Sequence, residues 1–303
     1  MIAETKNDRI FLIINKAILI TITILVAYPL YFVVIASISN YIAINNGNVI
    51  LWPVNISFDS YLYVIRYESI WTGYKNTILI TLVGTMINLI LTFTAAYALS
   101  KTYLPGMKWI MFMITFTMFF GGGLIPTYIL VSDMGMRNTI WAMILPGAVS
   151  AYNLILVKNY YQKNIPIELL HAAMIDGCDD MRAFINVVLP LSSPILATMA
   201  LFYGVGHWNQ FFDALIYLSD RERYPLQQVL REILLVNQEG TLAISGNTTE
   251  AMAEGAAALS EMINRAETMK YAVILVASLP VLCIYPFLQR YFLKGILVGS
   301  IKG

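Results

Sequence analysis

Six long runs of apolar residues alternate with charged or polar segments along this chain. They occupy residues 17–38, 76–99, 109–131, 139–157, 191–215 and 272–287. A helix rises about 1.5 Å per residue and a bilayer core is about 30 Å thick, so about 20 apolar residues make one crossing. Asp213, near the end of the fifth run, is the one Asp, Glu, Lys or Arg inside them. Barrel strands would instead appear as short segments of alternating polarity. The pattern therefore predicts an all-α integral membrane protein with six transmembrane helices. Lys6, Arg9 and Lys16 precede the first run, as in a signal peptide. That run is too long for a signal core and lacks a small-residue cleavage site, so it reads as a retained span.

An even number of spans puts both termini on one side. With that side taken as cytoplasmic, the inner segments hold Lys6, Arg9, Lys16, Lys101, Lys108, Lys158, Lys163, Arg182, Arg290, Lys294 and Lys302. The short outer loop between the third and fourth spans holds only Arg137. Lysine and arginine collect on the cytoplasmic side of short loops, so both termini are expected in the cytoplasm. Three divisions follow: 1–75, with the first span and an external loop; 76–293, a transmembrane core containing a 161–190 cytoplasmic loop and a 216–270 external segment; and 294–303, a cytoplasmic tail.

Composition agrees. Hydrophobic residues make up 58% of the 303, against 12% charged, too little charge for a soluble domain of this size. A net charge of +1 supplies no field to attract nucleic acid. Cys178 and Cys283 form no metal-ligand spacing and no disulfide framework. The outer segment 39–75 is rich in Trp, Tyr and Asn, as expected of an interfacial loop. In the other, Leu226, Val229, Leu230, Ile233 and Leu234 recur at helical spacing, which suits either a cap over span ends or a platform for an external partner. Asn55-Ile56-Ser57 and Asn247-Thr248-Thr249 match glycosylation sequons, a weak pattern.

One inner segment stands apart: ELLHAAMIDGCDDMRAFINVVLP, residues 168–190. Its first half is made of helix formers and stops at Gly177, which suits the left-handed turn that ends a helix. Asp179 or Asp180 then caps a second helix leading to Pro190 and the fifth span. The spacing predicts a helix-turn-helix at the membrane face, with Ala172 and Ala173 leaving one side thin enough for close approach by another protein.

The pattern Ala172-Ala173, three residues, Gly177, nine residues, Val187, one residue, Leu189-Pro190 resembles the EAA loop of binding-protein-dependent ABC importer permeases. Val187 stands where that family prefers Ile, and His171 where it has Glu. The tail LKGILVGSIKG, through Gly295, Gly299, Lys302 and Gly303, resembles that of the maltose-permease G-type subunits of oligosaccharide importers. WNQFFDAL (208–215), FFGGGLIPTYILV (119–131) and YPFLQRYFLKG (285–295) are similar to segments of the same group. The resemblance implies a type I importer permease fold and a passive half-channel. Glu168, His171, Ala172, Ala173, Asp176, Gly177, Leu189 and Pro190 would couple to a cytoplasmic ATPase dimer, and Gly299, Lys302 and Gly303 would reach towards the interface between its subunits. A second homologous permease would complete the pathway, and an extracytoplasmic solute-binding protein would deliver the sugar. Trp208, Asn209, Phe212 and Asp213 are candidates for lining the path, by ring stacking and by hydrogen bonds to sugar hydroxyls. For Asp213 the plainer role is to mark the outer membrane boundary.

No phosphate loop of the form GxxxxGK[ST] occurs, so ATP hydrolysis would belong to another polypeptide. His171 and His207 lie in different segments, and no nucleophile–base arrangement is visible, so neither an enzyme nor a cofactor is expected. An ion-coupled secondary transporter would place ionisable groups within its spans, where these hold almost none, and would have no use for an EAA loop. A membrane-anchored interaction subunit is a further alternative.

Overall fold

The computed structural model describes residues 6–101, 103, 105–244, 269–283 and 286. All regular structure among them is helical. They fall into two compact units: described residues within Met1–Glu68 and Leu230–Leu279, and those within Ser69–Val229 and Pro280–Gly303.

The first unit is dominated by α1, Lys6–Ser37. Over its most apolar window only 6% of residues are buried, so its greasy surface faces outward along nearly the whole length. Thr21 and Thr23 hide their hydroxyls by donating to Ala17 O and Leu19 O one turn back. At the far end the Tyr28 hydroxyl donates to Ile50 O and that of Tyr31 to Leu51 O, so these two aromatics tie the following loop to the helix. Ile35, Ala43 and Val49 form a small core there. Phe32 meets Tyr271 of a second apolar helix, Met269–Cys283, edge to face at 5.8 Å.

The second unit is built on α2, Glu68–Ser100. Its buried face carries Gly73, Thr77, Gly84, Asn88, Thr92 and Ala96, while Leu82, Met86 and Ile90 are exposed. Ile70, Ile80, Phe93 and Leu99 are buried as well, so this helix is not sorted by polarity as a soluble helix is. In lipid the apolar face needs no cover, and small residues let helix backbones approach. Gly73 illustrates the approach: a Cβ there would lie 3.0 Å from the Leu226 Cα.

The remaining runs differ from unbroken spans. The third divides into α3, Met107–Phe119, and α4, Leu124–Asp133, bent by 112° at the Gly121–Gly123 triplet. Gly123 has φ +87°, a conformation that side chains with a Cβ resist. The fourth holds a short turn at Trp141–Ile144, is interrupted by Pro146-Gly147, and resumes as α5, Ala151–Asn164, capped where Ser150 Oγ accepts from Asn153 N. Next come α6, Ile167–Ile175, and α7, Asp180–Leu191. The fifth run begins as α8, Ser193–Trp208, at 82° to α7. It stops at Asn209 before a short helix, α9, Phe212–Tyr217. Among the described residues, two helices are long and apolar enough to cross a membrane unbroken, or four if each bent pair is one span. Glycine, proline and a capping asparagine interrupt runs that hydropathy alone reads as continuous. Phe93, Tyr97, Leu154, Val157, Tyr161, Phe184, Val188, Met199 and Tyr203 make the main core of this unit, joining α2, α5, α7 and α8.

Candidate coupling site

The α6–α7 hairpin is closed by its own backbone. Cys178 N donates to Ala173 O at 2.9 Å and Gly177 N to Met174 O at 3.0 Å, the paired bonds of a Schellman turn, with Gly177 at φ +83°. Asp179 then caps α7 by accepting from Arg182 N at 2.7 Å. Five otherwise orphaned backbone groups, the Ala173 and Met174 carbonyls and the Gly177, Cys178 and Arg182 N–H groups, are thus satisfied within ten residues. In the next turn Leu189 N reaches back to Phe184 O across a wider π turn. Pro190 follows, with no N–H to give the ladder, and Ser192 Oγ donates to Val188 O at the 82° bend into α8.

The positions singled out in the sequence point different ways. Ala173 is buried against the unit, whereas Glu168, Ala172, Asp176, Gly177 and Pro190 are exposed, and Leu189 is half-buried. Beside Ala172, Ile175 is 86% exposed. His171 is exposed too, but it lies on the helix face that lines a cavity, with Ile167, Leu170 and Met174 at spacings of three and four. One ion pair ties the hairpin to the core: Lys101, at the end of α2, donates to Asp180 in the first turn of α7. Its ammonium also lies 4.6 Å from the Tyr97 ring centroid. Burial disfavours the Lys101 charge, but the bond to Asp180 and the contacts with Tyr97 outweigh it and raise its pKa above the ordinary value.

A second polar feature runs between α2 and α8. Asn88 Nδ2 and His207 Nε2 are 3.2 Å apart, and His207 Nδ1 lies 3.2 Å from Gln210 Oε1. Gln210 Nε2 donates to Met143 O at 2.9 Å and to the carboxylate of Asp213. One arrangement of protons satisfies the chain: Nδ1 of a neutral imidazole donates to Gln210, and Nε2 accepts from Asn88. Further along, the hydroxyls of Thr92 and Tyr203 bond at 2.7 Å. Gly84 makes room for the imidazole, since a Cβ there would lie 2.5 Å from His207 Nε2.

Of the residues predicted to line a path, Trp208 is buried, 6.2 Å from Tyr74 between ring centroids. Asn209 is exposed, and its amide donates to Val205 O. Phe212 is exposed beside Phe211, and Asp213 is half-buried in the Gln210 network. Gly299, Lys302 and Gly303 lie outside the described residues.

No family model matches the chain. The protein LplC of Bacillus subtilis (strain 168) is 38% identical over 300 residues, covering 99% of this chain and 97% of its own length. The polygalacturonan/rhamnogalacturonan transport system permease protein YtcP of the same strain is 38% identical over 297 residues, covering 98% and 100%. A chain from the crystal structure of a bacterial ABC transporter involved in the import of the acidic polysaccharide alginate superposes with a TM-score of 0.84. Its identity is 34%, over 96% of this chain and 100% of that one. The chain belongs to the permease subunits of sugar ABC importers.

As such a permease it is an all-α membrane protein of sugar transport, and its relatives are transport permease subunits. Within the permease, sequence reading passed over Gly84, Asn88, His207 and Gln210. In the sequence His207 stands out only as a histidine in a different segment from His171. The available signal was its spacing of three from Gln210, which puts both on one face of α8 and its cap.

Proposed function

We propose that this permease forms half of the translocation pathway of an ATP-driven, binding-protein-dependent oligosaccharide importer, coupled to a cytoplasmic ATPase dimer through the α6–α7 hairpin. A second, homologous permease completes the pathway, and a solute-binding protein delivers sugar from outside. The chain crosses a bacterial inner membrane six times with both termini in the cytoplasm, and the tail around Gly299, Lys302 and Gly303 reaches the ATPase. The observation that carries this reading is the rigidly closed turn that holds Ala172 and Ile175 outward while anchoring Ala173 inward. A fixed apolar knob on a polar hairpin suits a groove in another protein, and closure of that groove would move α7 and, through the Ser192 bend, α8.

The test is co-purification. Ile175→Asp and Gly177→Val should lose the ATPase from the purified complex and abolish sugar import, while both variants still insert into the membrane. Sugar uptake by the chain without any ATPase would overturn the reading. The relative YtcP is named for polygalacturonan and rhamnogalacturonan and the solved neighbour for alginate, which supports an acidic oligosaccharide as the cargo. Uptake of oligogalacturonate in preference to a neutral oligosaccharide of equal length, in vesicles holding the cognate binding protein, is the expected result. The reverse preference refutes that choice of cargo.

A further inference from the structure

A cavity of about 370 Å³ lies between the ends of α2 and α5 and the face of α6 that carries His171. Its size falls in the range of small-molecule sites, about 300–1,000 Å³. The wall is apolar where Leu170, Met174 and Val188 contribute, and polar where Lys101, Gln162 and His171 do. No carboxylate lines it among the described residues, and Lys101 is its one formally charged group. Asp180, the partner of Lys101, is not part of the lining. Tyr97 and Tyr161 also contribute to the wall. A cavity rich in donors, with one cation and a greasy side, is complementary to an anion that has an apolar body. His171 matters here. A glutamate at this position would put a second charge, of opposite sign to Lys101, on the wall and oppose an anionic ligand.

We propose that this cavity binds an amphiphilic organic anion, its carboxylate or phosphate at Lys101 and its apolar part against Leu170, Met174 and Val188. The occupant sits against the Leu170, His171 and Met174 face of α6, so binding that favours one position of the helix biases coupling. That consequence rests on the coupling role proposed for the hairpin; the binding itself does not.

The experiment titrates decanoate onto the full-length protein, purified with its co-purifying subunits in nanodiscs of neutral lipid, and follows binding by calorimetry. Expected is one saturable site per chain, weakened at least about tenfold by Lys101→Met and by His171→Glu. Leu170→Trp, which fills the cavity, should remove binding in protein that still elutes as a single intact complex. Uptake that never saturates, or that is equal in wild type and all three variants, is plain partitioning and overturns the proposal, as does no binding at all. Repeating the titration in discs containing phosphatidylglycerol identifies the source. Competition assigns the site to a membrane lipid, and undiminished decanoate binding to a soluble anion. Because binding is read without turnover, failure of coupling in the Ile175→Asp variant and failure of decanoate binding are separate results.

Discussion

Adding one methyl group at Gly84 probes the polar seam between α2 and α8 from its least replaceable side. The new Cβ would lie 2.5 Å from His207 Nε2, 2.8 Å from Cε1 and 2.9 Å from Cδ2. The ring has to retreat by about 1 Å or more to restore ordinary contact, and overpacking of this kind costs about 1–3 kcal/mol. Retreat is hindered because the imidazole is buried and held at both nitrogens, by Asn88 and by Gln210. Displacing it separates Nε2 from Asn88, and a side-chain bond between membrane helices is worth about 0.6 kcal/mol on average and about 1.7 at most. Gly84→Ala should therefore destabilise the permease by about 2–4 kcal/mol. The assay is reversible unfolding in mixed micelles with increasing SDS, followed by helical circular dichroism, for wild type, Gly84→Ala, His207→Ala and the double variant. Removing the ring leaves space for the methyl, so Gly84→Ala should cost at least about 1 kcal/mol less in the His207→Ala background. If the two substitutions add independently, or Gly84→Ala alone is neutral, the close approach of Gly84 to the imidazole is not what fixes this helix pair.

Other substitutions have smaller and more local effects. Gly177→Ala forces a Cβ into the left-handed region at φ +83° and should cost about 1–2 kcal/mol, seen as faster amide exchange confined to 173–182. Asp179→Ala removes the cap on α7 and should cost about 1 kcal/mol, with Asp179→Asn recovering most of it in the same exchange experiment. Thr92→Val breaks the buried bond to Tyr203 and should cost about 0.6–1.7 kcal/mol in the SDS assay. For Lys101 the sign is set by its raised pKa: its contribution is complete below its ordinary value and is lost only as pH rises through the higher folded value. Lys101→Gln should therefore destabilise equally from about pH 7 to about pH 9, and the gap from wild type should close only in strong alkali. A gap that shrank between those two values would show that the ammonium is not held in its charged form.

The α6–α7 hairpin could be read in advance because its signals are local. A glycine that accepts φ +83°, an aspartate that caps the next helix and a proline without an N–H act within a few residues of themselves, so their meaning is carried by spacing. The direction of each side chain could not be read this way. Ala172 and Ala173 are adjacent and alike in sequence, yet one is exposed and the other buried, because α6 turns by about 100° between them and only the core decides which side is inside. Trp208 is a candidate sugar platform by its chemistry, yet only the fold shows that it is buried, with Tyr74, more than a hundred residues away in sequence, 6.2 Å from it between ring centroids.

Hydropathy by itself determined the broad nature of the protein: an all-α membrane chain, since long uncharged runs have no other stable home and lipid leaves the backbone no partner but itself. It read residues 109–131 as one continuous run and did not show that the Gly121–Gly123 triplet would bend α3 against α4 by 112°. Tertiary structure alone decided that α2 buries Gly73, Thr77, Gly84, Asn88 and Thr92 and turns Leu82 and Met86 outward. It alone brought Gly84, Asn88 and His207 into one seam, and set His171 beside the cavity that holds Lys101. The reason is physical: burial of a helix face in lipid is set by close packing and hydrogen bonding between helices distant in sequence, and apolar content is the same on either side of that choice.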